Sequence, residues 1–280
     1  MRTRKLIKFV FLFLVVLTTS VSARYITLSH KVTMERIIQE DKTTVNITLL
    51  NSGDEPAYDV QLSLLLPEGV SSEPIFLGEL DPNMPKSGTF DIKINSDVIP
   101  GRYSMAILTE YKDANGYPFS SVLPKSLILK EFKSSQISGR ISGITLGDKE
   151  IKKLTLELRN MDQRGHNLKI KLFIPRELKA DNEEKSLVLN AREEKKINFD
   201  ISSFGALPGS NYVVFASLDY EDSGIHYSST AMGIVKVVEG RTVQSESEEI
   251  PFGVVFWILT ISFIVLLSVF LYLKFYKKRR

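Results

Sequence analysis

Histidine is the residue type in this chain best suited to acid–base or metal chemistry, but its positions do not form a site pattern. His30, His166 and His226 are far apart and belong to different segments, and no His-x-x-x-His pair occurs. The chain contains no cysteine, so disulfides, cysteine nucleophiles and thiolate metal sites are excluded. It also has no Gly-x-Ser-x-Gly elbow and no phosphate-binding glycine loop. We therefore predict a non-catalytic protein with no cofactor and no metal site.

Two acidic segments resemble fragments of calcium-binding loops, namely Asp113-Ala114-Asn115-Gly116 and Asp219-Tyr220-Glu221-Asp222. Calcium takes about six to eight oxygen ligands, and neither segment has the Asp-x-Asp-x-Asp-Gly run of a calcium loop. Asp and Asn also favour tight turns, because their side chains hydrogen-bond to the nearby backbone. Both segments are therefore interpreted as hairpin turns, with calcium ligation as the alternative.

Aromatic side chains are the candidates for a ligand-binding surface. Most tyrosines alternate in phase with apolar residues, which favours packing in a core over binding of a sugar. Tyr117 differs, because it lies between a loop glycine and Pro118, with Phe119 beside it. Tyr227 is predicted to be the counterpart of Tyr117 in a second, similar segment. Tyr117, Phe119 and Tyr227 are therefore the predicted ligand-binding residues, with carbohydrate as the ligand.

The elements that must position these residues are short strands. Apolar residues alternate with polar ones in many runs, for example at Val45, Ile47 and Leu49. A period of two, interrupted by turn residues, is typical of antiparallel strands with one buried face. The fold class is therefore predicted to be all-β.

The strand pattern occurs twice, in what we call the first and the second repeat. Asn51 precedes Asn160 by 109 positions. Offsets of 108 or 109 also relate Pro67 to Pro175, Pro100-Gly101 to Pro208-Gly209, Tyr111 to Tyr220, and Asp113 to Asp222. Five matches in one register indicate a tandem duplication.

Each repeat has about seven strands in roughly 105 residues, which is the size of an immunoglobulin-like β-sandwich. An isolated antiparallel sheet would leave one apolar face in water, so a second sheet must cover it. We therefore predict two tandem immunoglobulin-like β-sandwiches, over residues 24–132 and 133–239. The boundary is placed in the polar stretch that begins after Phe132.

The two ends of the chain predict where it resides. Residues 1–23 run from basic through apolar to small residues, which is the order of a secretory signal peptide. The sequence leaves open whether this segment is cleaved after Ala23 or is retained as an N-terminal anchor. Residues 250–273 contain no charged residue and would span roughly 36 Å as a helix, enough to cross a hydrocarbon core of about 30 Å. We predict a single transmembrane helix in the lipid bilayer, preceded by a polar stalk at residues 240–249.

Residues 274–280 are predicted to be a cytoplasmic tail. Lys and Arg residues beside a transmembrane helix favour the cytoplasmic side of the membrane. The tail has five of them: Lys274, Lys277, Lys278, Arg279 and Arg280. The region between the two apolar segments should then be extracytoplasmic. Nine of the 36 basic residues lie in residues 1–23 and 274–280, which leaves 27 against 33 acidic residues in between. An acidic folded region does not favour nucleic-acid binding.

A family resemblance rests on three short motifs of the first repeat: Asn51-Ser52-Gly53, Leu80-Asp81-Pro82 and Pro100-Gly101-Arg102-Tyr103. With the alternating strands between them, they resemble the CARDB-like, cell-adhesion-related sandwich modules of prokaryotic envelope proteins, over roughly residues 40–130 and more weakly 150–238. The layout of signal, sandwich, anchor and basic tail is also similar to the β subunit of the translocon-associated complex. The resemblance implies a non-catalytic extracellular module.

Two functions follow as hypotheses. The first is a membrane-anchored interaction or scaffold protein, an accessory subunit that holds another membrane or envelope protein. The second is an adhesin or receptor that binds carbohydrate or cell-wall polymer through loops. Asn46-Ile47-Thr48 matches the N-glycosylation pattern, and the sequence leaves its occupancy open.

Overall fold

The computed structural model describes residues 25–147 and 150–239, together with Phe263. Residues 25–147 and 150–239 contain β-strands and no helix, so the predicted all-β class is confirmed for them. No helix among the described residues is long and apolar enough to span a membrane. The predicted signal peptide, stalk and tail, and the predicted span apart from Phe263, lie outside the described residues. So do Lys274, Lys277, Lys278, Arg279 and Arg280.

The chain divides into two compact units, residues 1–240 and 241–280. Both repeats lie in the first unit, and the boundary between residues 132 and 133 stays a prediction. The strands of the first repeat are β1 (Leu28–Met34), β2 (Lys42–Asn51), β3 (Ala57–Leu65), β4 (Val70–Ser71), β5 (Ile75–Leu80), β6 (Lys86–Ile94), β7 (Gly101–Lys112) and β8 (Pro118–Leu129).

Two sheets enclose the core of the first repeat. One sheet has the order β1-β2-β6-β4. The other is the part β5-β3-β7, with β8 paired to β7, of a nine-stranded sheet that continues into the second repeat. Val45 and Ile47 of β2 are fully buried and belong to the same core as Met105 and Ile107 of β7. The alternation in the sequence thus places one face of each sheet against the other.

The second repeat is built in the same way. Its strands are β9 (Ile137–Ile141), β10 (Ile144–Leu146), β11 (Ile151–Asn160), β12 (His166–Phe173), β13 (Leu178–Ala180), β14 (Glu184–Leu189), β15 (Glu194–Ser203), β16 (Asn211–Asp222) and β17 (Ile225–Val237). One sheet has the order β13-β15-β11-β9. The other is the remaining part of the nine-stranded sheet, β14-β12-β16-β17 with β10 in parallel beside β17, and it joins the first repeat where β17 pairs with β7. A second core lies between these sheets.

The offset seen in the sequence recurs in the strand pairing. Ile38 forms a parallel bridge with Leu129 at the end of β8. Leu146 pairs in parallel with Val237 at the end of β17, and both partners are displaced by 108 positions from those of the first bridge. In each repeat, therefore, the first segment of chain pairs with one sheet and then crosses to the last strand of the other.

Candidate binding cleft between the two repeats

The two repeats meet at an apolar contact that we call the seam. Its buried residues are Ala106, Leu108, Val122, Phe173 and Phe215. The rings of Phe173 and Phe215 stack with their centroids 4.5 Å apart. β7 buries both of its faces over Met105–Leu108, one against its own core and one in the seam.

Sequence reasoning missed the seam, although a signal was present. Met105-Ala106-Ile107-Leu108 and Val213-Val214-Phe215-Ala216 are continuous apolar runs inside strands that otherwise alternate. Continuous apolar runs are typical of strands covered on both faces. The other repeat covers the second face of β7 at Ala106 and Leu108, and that of β16 at Phe215, whereas Val213 is exposed.

Polar contacts close one end of the seam. The backbone N–H of His226 donates to the carbonyl of Pro100 at 2.8 Å, where the start of β17 runs parallel to the start of β7. The imidazole of His226 stacks on the ring of Tyr103, with centroids 3.9 Å apart. The hydroxyls of Ser104 and Ser228, both buried, lie 2.7 Å apart. These contacts hold the beginnings of the two strands together.

A second set of polar contacts closes the other end. The carboxylate of Glu177, which is buried, accepts hydrogen bonds from the backbone and the hydroxyl of Ser120. Arg176 forms an ion pair with Glu110 at 2.6 Å. The hydroxyl of Tyr117 donates to the carbonyl of Gly205. The seam therefore has an apolar centre and polar contacts at both ends.

A cleft of about 920 Å³ opens between the repeats on the side of His226. The first repeat contributes the loop residues 66–69, 95 and 97–99 together with Tyr103 and Ser104. The second repeat contributes the outer face of its sheet, where charged residues of both signs are neighbours. These are Lys169, Lys171, Glu184, Lys185, Asp219 and Glu221.

Within the cleft, some polar groups are satisfied by the protein and others are not. Lys171 pairs with Glu184 at 2.9 Å. Nε2 of His226 lies 3.3 Å from a carboxylate oxygen of Asp219, whereas the buried Nδ1 has no hydrogen-bond partner among the described residues. An oxygen of the Glu221 carboxylate lies 4.0 Å from Nδ1, beyond hydrogen-bond distance.

Tyr103 forms part of the wall and stays protonated. Burial, and then the nearby carboxylates of Glu221 and Asp219, raise the pKa of the Tyr103 hydroxyl to about 12. The hydroxyl donates to the carbonyl of Ile99 at 2.8 Å. It therefore fixes the loop that borders the cleft.

The three predicted ligand-binding residues do not lie together at the cleft. Tyr117 and Phe119 belong to the β7–β8 hairpin, at the end of the seam where Tyr117 contacts Gly205. Phe119 stacks on Tyr111 with centroids 5.4 Å apart. Tyr227 lies in the second repeat and is half-buried against Tyr220, with centroids 4.9 Å apart.

The strand register corrects the prediction that Tyr227 is the counterpart of Tyr117. Tyr227 pairs with Tyr220 across the β16–β17 hairpin, as Phe119 pairs with Tyr111 across the β7–β8 hairpin. Tyr227 is therefore the counterpart of Phe119. The loop of the second hairpin is shorter than that of the first, so it has no position equivalent to Tyr117.

The two acidic segments have different structures. In the first, the Asp113 carboxylate accepts hydrogen bonds from the backbone N–H groups of Asn115 and Tyr117, which is the predicted turn. The prediction is wrong for the second, because residues 219–222 are the last residues of β16. The turn is made instead by Ser223 and Gly224, which both have positive φ, as in a two-residue hairpin turn.

The histidines are also separate in space. His30 contacts Thr109 at 2.7 Å, His166 contacts Asp162 at 2.8 Å, and His226 lies in the cleft. Across residues 25–147 and 150–239, no group of three or more histidine and carboxylate side chains is arranged to hold a metal ion.

No family model matches the chain, and no curated protein matches it in sequence. Among solved structures, a protein of unknown function from Porphyromonas gingivalis W83 is similar at 16% identity and a TM-score of 0.31, covering 75% of this chain and 99% of that one. The YadV chaperone is similar at 12% identity and a TM-score of 0.30, covering 73% and 98%.

The alpha-2-macroglobulin of E. coli is similar at 9% identity and a TM-score of 0.30, covering 75% of this chain and only 17% of the macroglobulin. Similarities at this level assign neither a family nor a function to the chain.

Proposed function

We propose that the chain is a membrane-anchored, non-catalytic, extracytoplasmic interaction protein that serves as an accessory subunit of a membrane or envelope complex. In this proposal the two repeats are immunoglobulin-like β-sandwiches. The sheet orders β1-β2-β6-β4 and β13-β15-β11-β9 support it, since each has the arrangement of the four-stranded sheet of such a domain. The apolar segment 250–273 is the proposed anchor.

The seam is the observation that carries this proposal. Two modules joined by a flexible linker would present two surfaces that move independently. Phe173 and Phe215 instead stack in a buried contact, and Glu177 and Ser120 are joined across it. The pair therefore presents one continuous surface in which the relative position of the repeats is fixed, which lowers the entropic cost of binding a large partner.

Affinity purification of the full chain from native membranes in mild detergent tests the proposal. A protein that holds a partner should bring down a companion in near-equal amount. As a matched pair of variants, Phe173→Asp places a charge in the seam, whereas Val188→Asp places one on an exposed strand position. We expect the companion to be lost with the first and retained with the second. Recovery of wild-type protein without any companion would overturn the proposal.

A second candidate function is carbohydrate binding, and the cleft is the observation that favours it. Sugar hydroxyls can donate to the Asp219 carboxylate and accept from Lys169, both of which line the cleft. This places the candidate site away from Tyr117 and Phe119.

Glycan-array binding by the detergent-solubilised chain separates the two locations. If the cleft binds sugar, Asp219→Asn and Lys169→Met should each weaken binding at least tenfold, while Tyr117→Phe should leave it unchanged. An array with no signal would rule out carbohydrate binding. If Tyr117→Phe alone weakens binding, the sugar binds at the β7–β8 hairpin and not in the cleft.

A further inference from the structure

The first described residues lie at the end of the first repeat that carries the β7–β8 hairpin. The backbone N–H of Asp54 donates to the carbonyl of Tyr25 at 3.0 Å. The neighbouring Glu55 accepts a hydrogen bond from the backbone of Ala114, in the hairpin loop, at 2.9 Å. The chain therefore enters the first repeat beside this loop.

The last described residues leave the second repeat at the same end of the pair. Tyr117 of the hairpin donates to the carbonyl of Gly205, in the loop between β15 and β16. In that loop, the backbone N–H of Gly209 donates to the carbonyl of Val237 at 2.8 Å, where β17 ends. The first and the last described residues of the two repeats thus lie at one end of the pair, which we call the exit end.

The cleft lies toward the opposite end. β7 and β17 run parallel, and Gly101, the first residue of β7, is the partner of His226, the second residue of β17. The cleft is lined by His226 and by the loop 95–99 that precedes β7. A strand of 12 residues, such as β7, is about 40 Å long. Most of that length separates the cleft from the exit end.

Large apolar side chains are exposed around the exit end. Phe204 is 71% exposed and follows β15 directly, and Ile151 is 65% exposed and pairs with Ser202 of that strand. Met84 is 62% exposed and follows Asn83, whose backbone N–H donates to the carbonyl of Asn51. Tyr25, at the chain entry, is 57% exposed.

Charged side chains at the exit end are of both signs and partly paired. Lys152 forms an ion pair with Glu150 at 3.2 Å, and Lys112 forms one with Asp59 at 2.8 Å. A contact made here would depend on apolar surface more than on the charge of its partner.

We propose that the exit end rests on the surface of the bilayer, with Phe204, Ile151, Met84 and Tyr25 at the level of the lipid headgroups and the cleft facing away from the membrane. This inference rests on the proposed function, because it takes residues 250–273 as the anchor. Residues 240–249 can span at most roughly 35 Å when fully extended. A connection of that length keeps the end from which it emerges near the membrane. Aromatic and aliphatic side chains gain free energy when they enter the apolar side of the interface.

Single cysteines provide the test, since the chain has none of its own. Phe204→Cys and Met84→Cys place a polarity-sensitive fluorophore at the exit end. Phe132→Cys is the matched control, because Phe132 is also an exposed aromatic residue and lies beyond the last residue of β8, which pairs with Gly101 at the opposite end. The full chain is reconstituted in phosphatidylcholine vesicles that contain brominated acyl chains.

We expect brominated lipid to quench the labels at residues 204 and 84 at least twofold more than the label at residue 132. Addition of anionic lipid should leave this difference unchanged. If the chain floats with the vesicles while all three labels are equally exposed to water, the inference is wrong and the anchor stands. If alkaline washing removes the chain from the vesicles, residues 250–273 do not anchor it in the bilayer, and both the proposed function and this inference are wrong.

Discussion

At the scale of single residues, two buried asparagines show most clearly how the duplicated sequence acts. Nδ2 of Asn51 donates to the carbonyls of Glu55 and Leu80, and its Oδ1 accepts from the backbone of Gly53. Asn160 makes the same bonds 109 positions later, to Arg164, Leu189 and Asp162. Each side chain thus closes the loop after one strand and ties it to the end of another. An amide is suited to this role because it both donates and accepts without carrying a charge.

Replacing Asn51 by alanine should therefore destabilise the first repeat by about 2–4 kcal/mol. The substitution leaves buried carbonyl and N–H groups without partners, and each such group costs about 1–3 kcal/mol. Asn46→Ala is the control, because Asn46 is exposed on the same strand and should cost less than about 0.5 kcal/mol. Urea unfolding of the detergent-solubilised chain, followed by circular dichroism, measures both. Equal effects would show that the buried amide is dispensable.

A second residue-scale prediction concerns pH. Burial, and then the charge of Lys125, lower the pKa of His30 below its usual value of about 6.5. The unfolded chain then binds a proton more readily than the folded one. The contribution of neutral His30 to the free energy of unfolding is therefore fully present above about pH 6.5, and it is lost as the pH falls through the folded-state pKa.

The variant His30→Gln cannot titrate but can still reach Thr109. Its unfolding free energy should decrease less than that of the wild type between about pH 7.5 and 5, as followed by urea unfolding at each pH. An identical decrease in the two proteins would rule out His30 as the titrating group.

At the scale of elements, the decisive contact is the parallel approach of β7 and β17. Gly101 has a φ of 146°, and a Cβ built there would lie 2.1 Å from the carbonyl oxygen of His226. Only glycine allows the two backbones to come so close. Gly209, its equivalent in the second repeat, also has positive φ but has open space around it. The same sequence feature thus serves as a turn in one repeat and as a contact between repeats in the other.

Gly101→Ala should consequently destabilise the protein by about 1–3 kcal/mol more than Gly209→Ala. Both substitutions strain a left-handed backbone, which costs about 1–2 kcal/mol, but only the first also breaks the bond from His226 to Pro100.

A disulfide engineered by Ser104→Cys and Ser228→Cys reports on the seam directly, because the two hydroxyls lie 2.7 Å apart. It should form more slowly in the Gly101→Ala background than in the Gly209→Ala background. Equal rates would show that the seam tolerates a Cβ at residue 101.

At the scale of the whole molecule, the seam converts a tandem duplication into one surface with two different ends. One end carries the first and the last described residues of the pair and exposed apolar side chains, and the other carries the cleft. Two repeats with nearly the same internal contacts therefore occupy different surroundings. The two repeats are thus in contact with each other while each keeps its own core.

The sequence by itself determined the strands, the duplication of the chain and the asparagines at its loops. These depend on local alternation and on comparison of the chain with itself, both of which can be read without knowing any distance. The turn in the first hairpin was also predicted correctly, because Asp113 bonds only to its own loop.

Only the tertiary structure decided the seam, the cleft and the direction in which each loop points. Tyr117 and Tyr227 looked equivalent in sequence, yet the register pairs Tyr227 with Tyr220 and leaves Tyr117 to contact Gly205. Ser104 and Ser228 are 124 residues apart and carry no local pattern that marks them as partners. The physical reason is that a continuous apolar run such as Met105–Leu108 indicates that a second face is covered, whereas which surface covers it depends on how the two folded repeats fit together.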